Sequence, residues 1–522
     1  MYETAASNWS DRKALWLFGL VTVYFAIQIP IRLVNASSLS LDEAEMMVIT
    51  QTVTAGYGLQ PPLYGWLQSL VFAFLGPGVL ALAVLRAFLV WATFVFCFLI
   101  GRQVFADDDK AWASALALFT VPQYFWGSQY PQTHTVLAVA LGAITLWAML
   151  LMLKTGALRW YLALGVCFAL GTMAKYNYLI LALALWLSAL AVPARRRRVL
   201  DMRMLATLAV ALVLLAPHLH WVMSHVDALP SRMPTFGGPG EGGVFLSSLR
   251  GAKLVWSALV SYAGLTVVLF LAAAFVPIVG RFADADEPTS AAAAAWAGSR
   301  GYILRVLAIG IALVLGVVVA TRISWLSERW LHPVLFMTPL GCLILLESRF
   351  TTVRIAMLNT ISATLAIGSI VGLVIVHAFP ETRGKPRRAL SPYPEISKQI
   401  KDLGFEQGYI LASSRFVGGN LRLHFADSVV GEPWYGLWPV DKDDRQRKLL
   451  LAWDEDRLPP PALVDLWQEL CGRAPLAAIE NVHTLSAPYQ RSDVVYRLNV
   501  AIVDMCPSPG SSRDPEEEKR GS

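Results

Sequence analysis

Three carboxylates, Asp42, Glu43 and Glu45, fall within four residues of the stretch SLSLDEAEMMVITQ, just after the first long apolar run of the chain. A carboxylate facing lipid at the hydrocarbon boundary costs about 2–3 kcal/mol. Such side chains therefore turn toward water, a cavity or a partner. An ionised carboxylate held there can take a proton from an attacking hydroxyl. The same residues also have a structural reading. Ser40 followed by Glu43 matches a capping box, with Ser40 as N-cap and Glu43 at the third helical position. Asp42 then lies in the first turn, where the helix dipole favours its charge. Both readings keep Asp42 ionised.

Downstream, GYGLQPPLYGWL combines a rigid Pro61-Pro62 corner with the hydroxyls of Tyr57 and Tyr64, the amide of Gln60 and an interfacial Trp66. Cations recur near helix ends on the same side: Arg86, Lys175 and Arg329. A cation there can stabilise a departing anion or simply snorkel to the interface. Lys175 is the strongest candidate because AKYNY also brings Tyr176 and Tyr178. Arg329 has a local alternative in Glu328. His134 opens a helix after SQYPQT, and a capping or hydrogen-bonding role fits it as well as a substrate contact. His218, His220 and His225 do not share one helical face, and no Cys/His cluster has zinc spacing, so no metal site is expected.

The elements that must position these residues are apolar. The chain has 522 residues, of which 56% are hydrophobic and 15% charged, with a mean hydropathy of +0.52. Runs near 20 residues recur, each long enough to cross about 30 Å of hydrocarbon as a helix. The expected spans are 14–34, 78–100, 111–127, 133–153, 159–174, 178–193, 204–223, 252–279, 303–320, 331–347 and 355–378, about eleven in all. The first is too long for a signal-peptide core and reads as a retained helix. Lys and Arg concentrate on one side of this threading, in Arg12/Lys13, Arg102/Lys110, Lys154/Arg159, Arg195–Arg198 and Arg349/Arg354. That side is expected to be cytoplasmic, with the N-terminus inside and residues 380–522 outside. The net charge of +6 is thus topology signal, and no nucleic-acid partner is expected. Between the first two spans, two short surface helices are expected in the outer loop.

After Phe379 the composition changes. PETRGKPRRALSPYP reads as a linker, and GYILASSRFVGGNLRLHFADSVVGE as strand, short helix, strand. The expected organisation is a transmembrane domain over 1–379, a small extracytoplasmic α/β domain over 380–508 and a polar tail over 509–522. Of the five cysteines, Cys97, Cys167 and Cys342 lie in apolar helices; Cys471 and Cys506 could pair if that domain is extracytoplasmic.

The Asp-Glu pair after the first helix and the PPLYxWL element resemble GT-C glycosyltransferases. The nearest likeness is to dolichyl-phosphate-mannose protein mannosyltransferases and their bacterial relatives, the lipid A aminoarabinose transferases and rhizobial galacturonosyltransferases. SQYPQTHTVLAVAL, GTMAKYNYLILAL, APHLHWVMSH and ERWLHPVLFMTPL extend the likeness over about 1–380. The resemblance implies a bacterial inner-membrane enzyme with a periplasmic C-terminal domain. It would move a sugar from a polyprenyl-phosphate donor to an envelope glycolipid, glycan or protein acceptor, with inversion at the anomeric carbon. Asp42 takes the place of the family's general base or acceptor-positioning residue, with Glu43 in support. Arg86, Lys175 and Arg329 would hold the donor phosphate, and Tyr57, Gln60, Tyr64, His134 and Tyr176 would contact substrate. The chain departs from the aminoarabinose transferases at Gln60, where they carry a lysine. No cofactor is required, although some relatives use a divalent cation. The alternative is a lipid or glycan transporter or flippase, which should place paired ionisable groups at mid-membrane. Here the mid-helix regions are nearly free of charge.

Overall fold

The computed structural model describes the chain apart from residues 1, 59, 128–131, 227–243, 278–289, 324, 380–386, 439–447, 455–457, 472–480 and 505–522. The helices are α1 (Tyr2–Asn35), α2 (Leu41–Ile49), α3 (Leu63–Leu75), α4 (Val79–Val104), α5 (Asp108–Leu116), α6 (Pro122–Phe125), α7 (His134–Thr155), α8 (Leu158–Ala174), α9 (Tyr178–Leu190) and α10 (Pro193–Val199). They continue with α11 (Arg203–Ser224), α12 (Val244–Phe275), α13 (Ser290–Thr321), α14 (His332–Leu335), α15 (Thr338–Leu345), α16 (Thr352–Ala378), α17 (Tyr393–Asp402), α18 (Arg415–His424) and α19 (Pro461–Cys471). Five strands follow the membrane region: β1 (Gly408–Ala412), β2 (Val429–Gly431), β3 (Lys448–Trp453), β4 (His483–Pro488) and β5 (Val495–Asp504).

Among the described residues, seven helices are long and apolar enough to cross a membrane, those of α1, α4, α7, α11, α12, α13 and α16. Shorter apolar helices cover Leu63–Leu75, Leu158–Ala174, Tyr178–Leu190 and His332–Leu345. Two of the expected spans are broken, and proline explains both. Over 111–127, Val121 is extended (φ −85°, ψ 121°) ahead of Pro122, because a residue before proline is pushed out of the α region. Over 331–347, Pro339 follows Thr338 at the start of α15 and has no N–H to continue the hydrogen-bond ladder from α14, so α14 and α15 are separate.

The chain divides into two compact units. The first comprises Met1–Pro30, Thr54–Tyr64 and Val84–Leu373. Its helices close on one another through small residues and buried hydroxyls. Gly171 lies directly under the Tyr178 ring, and the Tyr178 hydroxyl is 2.6 Å from Thr145 Oγ1. Tyr302 donates to the Leu185 carbonyl at 2.8 Å. An aromatic cluster of Tyr24, Phe25, Phe94 and Phe119 fills part of the core. Glu347 is shared by Lys110 (3.2 Å) and Arg300 (2.6 Å), which ties α5 to α13.

The second unit comprises Ile31–Val53, Gly65–Ala83 and Val374–Ser522. Its sheet has the order β2-β1-β3-β5-β4. β1 runs parallel to β2 and β3, and β5 runs antiparallel to β3 and β4. The central strands GYILA and KLLLAW are apolar on both faces, as strands covered by helices on both sides must be. Tyr409, Leu449, Leu451 and Trp453 form one core layer with Leu463 and Trp467 of α19. Cys471 is disulfide-bonded; Cys97, Cys167 and Cys342 are free thiols, and Cys506 lies outside the described residues.

This unit also contains α2. This helix, the first of the two expected in the outer loop, is packed against protein, with Glu43–Ile49 all buried. Its partner is α18. A Cβ at Gly419 would collide with the Ala44 carbonyl, so only glycine permits this backbone approach. Asn420 Oδ1 accepts from Leu39 N at 2.7 Å. Gln51 exchanges two bonds with Val430, at 2.9 and 2.7 Å, and Arg422 donates to the Met47 carbonyl. At the start of α2, Arg32 grips Glu43 with Nε at 3.1 Å and Nη2 at 2.8 Å, and Ser40 N donates to Glu43 Oε2 at 2.9 Å. By contrast α3 exposes Leu70 (56%) and Phe74 (81%), an apolar face fit for lipid.

Glu43→Gln removes the charge opposite Arg32, whose side chain is only 9% exposed. Breaking a buried pair from one side costs about 3–5 kcal/mol. The expected outcome is a lower unfolding temperature in detergent, with the folded fraction keeping its specific activity. A variant as stable as the parent but without turnover would assign Glu43 to the chemistry.

Candidate active site

Two groups of polar residues stand out, one in each unit. In the second unit the three carboxylates of α2 have three different environments. Glu43 is engaged by Arg32 and by the Ser40 amide, as capping-box chemistry leads one to expect. Asp42 is half-buried in the first turn, the only one of the three that is not buried. Glu45 is buried one helical turn further on, 4% exposed. It accepts from the Tyr435 hydroxyl and lies 3.7 Å from Arg415 Nη1. Burial pushes its carboxyl up to about 7; Arg415 and the Tyr435 bond act against that, and the charges of Asp42 and Glu432 act with it. One helix thus carries a half-buried carboxylate, Asp42, and one turn further on a buried carboxyl, Glu45, whose affinity for its proton is raised.

In the first unit, a cavity opens among α4, α6, α7 and α14. It is lined by Arg86, Gln123, Tyr124, Gln132 and His332, with Val90 and Val139 supplying apolar wall. Arg86 and His332 are 9% and 3% exposed. Both ring nitrogens of His332 and Oε1 of Gln123 are buried without a hydrogen-bond partner. An unsatisfied buried polar group costs about 1–3 kcal/mol, and several around one cavity mark a place where a polar ligand or water belongs.

Lys175 stands beside this cluster. It caps α8 in an extended conformation (φ −167°, ψ 131°), which directs Nζ to Thr135 Oγ1 at 2.8 Å. Its charge is felt by both His134 and His332, and that of Arg329 by His332. Asn177 donates to the Trp330 carbonyl at 3.0 Å, fastening the AKYNY turn to the segment carrying Arg329. His134 Nδ1 is 3.3 Å from the Ala174 carbonyl, its Nε2 is buried without a partner, and its ring faces Tyr64 at 5.5 Å. Lys175, Arg329, His134 and His332 therefore form one group, and His332 also lines the cavity with Arg86.

The other expected residues have local duties. Tyr57 and Gln60 exchange backbone hydrogen bonds at 3.2 and 3.0 Å across a tight turn, with Gly58 at φ 59°. The Tyr57 hydroxyl accepts from Thr54 N at 3.3 Å. Tyr176 stacks on His218 at 5.9 Å and its hydroxyl is 3.2 Å from Nε2. His218 Nδ1 is 2.7 Å from the Ala55 carbonyl, and the stack continues through Trp221 to His225. These histidines thus serve packing, and among the described residues no group of three or more His, Cys, Asp or Glu could hold a metal ion. Sequence reasoning passed over His332, Gln123 and Gln132. The signal for His332 was a histidine within the otherwise apolar LHPVLFM run.

A family model described as dolichyl-phosphate-mannose-protein mannosyltransferase matches residues 59–221. Lipopolysaccharide core galacturonosyltransferase RgtB of Rhizobium johnstonii is 31% identical over 504 residues, 95% of this chain and 99% of that protein. Lipopolysaccharide core galacturonosyltransferase RgtA of the same organism is 28% identical over 488 residues, 90% of this chain and 93% of that one. ArnT from Cupriavidus metallidurans, solved bound to undecaprenyl phosphate, shares the fold with a TM-score of 0.55 at 14% identity, over 94% of this chain and 98% of that one. The chain is a multi-pass membrane glycosyltransferase of GT-C fold, and it belongs to the same family as these rhizobial galacturonosyltransferases.

Proposed function

We propose that the protein transfers a sugar from a polyprenyl-phosphate donor to an envelope glycolipid on the outer face of the bacterial inner membrane, with inversion at the anomeric carbon. The relatives are described as galacturonosyltransferases of lipopolysaccharide core, so a uronic acid and a core glycolipid are the substrates to try first. The observation that carries this reading is the cationic cluster of the first unit. Arg86, Lys175 and Arg329 gather around buried histidines in an otherwise apolar bundle, which suits a charged headgroup on a lipid.

In the proposed reaction Asp42 orients the acceptor hydroxyl and takes its proton as the oxygen attacks the anomeric carbon. The bond to the phosphate oxygen breaks, and the polyprenyl phosphate leaves as an anion. Lys175, with Arg329 and Arg86, stabilises that anion where charge accumulates. Unpartnered polar atoms of Gln123 and His332 offer hydrogen bonds to the donor.

Transfer is measured with undecaprenyl-phosphate-linked galacturonic acid and purified lipopolysaccharide core in detergent. Asp42→Asn is expected to lower kcat by about 10²–10⁴-fold at normal abundance and unfolding temperature; full activity would rule out Asp42 as the base. Lys175→Met is expected to lower kcat/KM for the donor by about 10²-fold. An unchanged value would move the phosphate contact to Arg86 or Arg329.

A further inference from the structure

We propose that Glu45 is a positioning residue for this transfer: gripped by Tyr435 and Arg415 of the sheet-bearing unit, it sets the charge beside Asp42 and so the strength of Asp42 as a base. The inference rests on the assignment of Asp42 above and adds to it a residue that neither the sequence motif nor the relatives point to.

The geometry is local to one unit. Glu45 follows Asp42 by three residues on α2, a spacing that places both on one helical face. Two groups reach Glu45, and a third shapes the turn that presents one of them. The Tyr435 hydroxyl donates to Oε1. Arg415, at the first turn of α18, approaches the same oxygen at 3.7 Å; its guanidinium lies 4.9 Å over the Trp434 ring, which fixes its direction. Glu432 accepts from the backbone amides of Trp434 and Tyr435 at 3.1 and 2.6 Å, which shapes the turn that presents Tyr435. Two further cations touch α2: Arg32 pairs with Glu43 and Arg422 donates to the Met47 carbonyl.

The consequence is a proton held at the mouth of the acidic helix. Glu45 is buried, and the Arg415 guanidinium with the Tyr435 hydrogen bond does not fully offset its desolvation together with the repulsion of Asp42 and Glu432. Near neutrality Glu45 therefore changes charge, which a buried carboxyl with full compensation would not do. With Glu45 protonated, its repulsion of Asp42 is absent and Asp42 is the weaker base. When Glu45 ionises, its charge raises the proton affinity of Asp42 and strengthens it as a proton acceptor. Coupled groups of this kind share their titration, so the effect belongs to the pair and not to one side chain.

Two measurements on the full-length protein in detergent test this. The first is the pH profile of transfer with the undecaprenyl-phosphate-linked donor. The parent is expected to show an activity limb near pH 7. Glu45→Gln is expected to stay within about tenfold of the parent but to lack that limb. Tyr435→Phe and Arg415→Gln each remove a group that favours the ionised form, so they should move the limb to higher pH, by about one unit for Arg415→Gln. The second readout is independent of activity. A carboxyl raised on folding binds its proton more tightly in the native state, so stability falls as pH rises from about 4.5 to about 7. The parent's unfolding temperature should decline across that window, and Glu45→Gln should flatten the decline. A Glu45→Gln variant with the parent's pH profile and the parent's stability curve would overturn the proposal. Should Glu45→Gln be inactive throughout, an unmoved limb in Tyr435→Phe would overturn it equally. If Asp42→Asn is fully active, the assignment of the base fails; the stability curve then still decides whether Glu45 holds the proton.

Discussion

A charge or dipole removed from water has to be answered by a partner, and this chain answers its buried polar groups to different degrees. Glu43 is answered in full, by both arms of Arg32 and a backbone amide. Glu45 is answered in part, by a hydroxyl and a guanidinium that do not outweigh its desolvation. Both ring nitrogens of His332 and Oε1 of Gln123 have no hydrogen-bond partner in the protein. The first condition holds a fold together, the second raises a carboxyl's affinity for its proton, and the third leaves hydrogen-bonding capacity for the donor proposed above. Structure and function separate here by how completely each group is satisfied.

The acidic helix depends on a domain that lies more than 300 residues further along the chain. α2 has only nine residues, too few to be stable as an isolated helix. It persists because Gly419 lets α18 approach its backbone, and because Asn420, Gln51 and Arg422 tie both ends to the sheet unit. The C-terminal region thus holds the helix that carries Asp42. A side chain on a short helix braced by a sheet is held more firmly than one on a free loop.

Much of this was legible in the sequence because the relevant signals are local. Seven of the expected spans coincide with helices long and apolar enough to cross a membrane, and GYILASSRFVGGNLRLHFADSVVGE folds as the strand, helix and strand its pattern predicts. Proline broke two spans that hydropathy alone ran together, since a hydropathy window does not weigh a missing N–H. What could not be read were contacts of high sequence separation. Nothing in DEAEMMVI shows that its far side meets RFVGGN, or that Tyr435 and Arg415 converge on Glu45. His332 looked like one more helix residue until its neighbours Arg86, Gln123 and Lys175 were assembled around it.

If buried, unanswered polar groups of the first unit serve a lipid-linked phosphate, that phosphate should stabilise the fold by binding it. The most direct measurement is the unfolding temperature of the detergent-solubilised protein titrated with undecaprenyl phosphate, with undecaprenol as the uncharged control. The account predicts a saturable rise for the phosphate and none for the alcohol. A flat response to both, or an equal rise with undecaprenol, would contradict it.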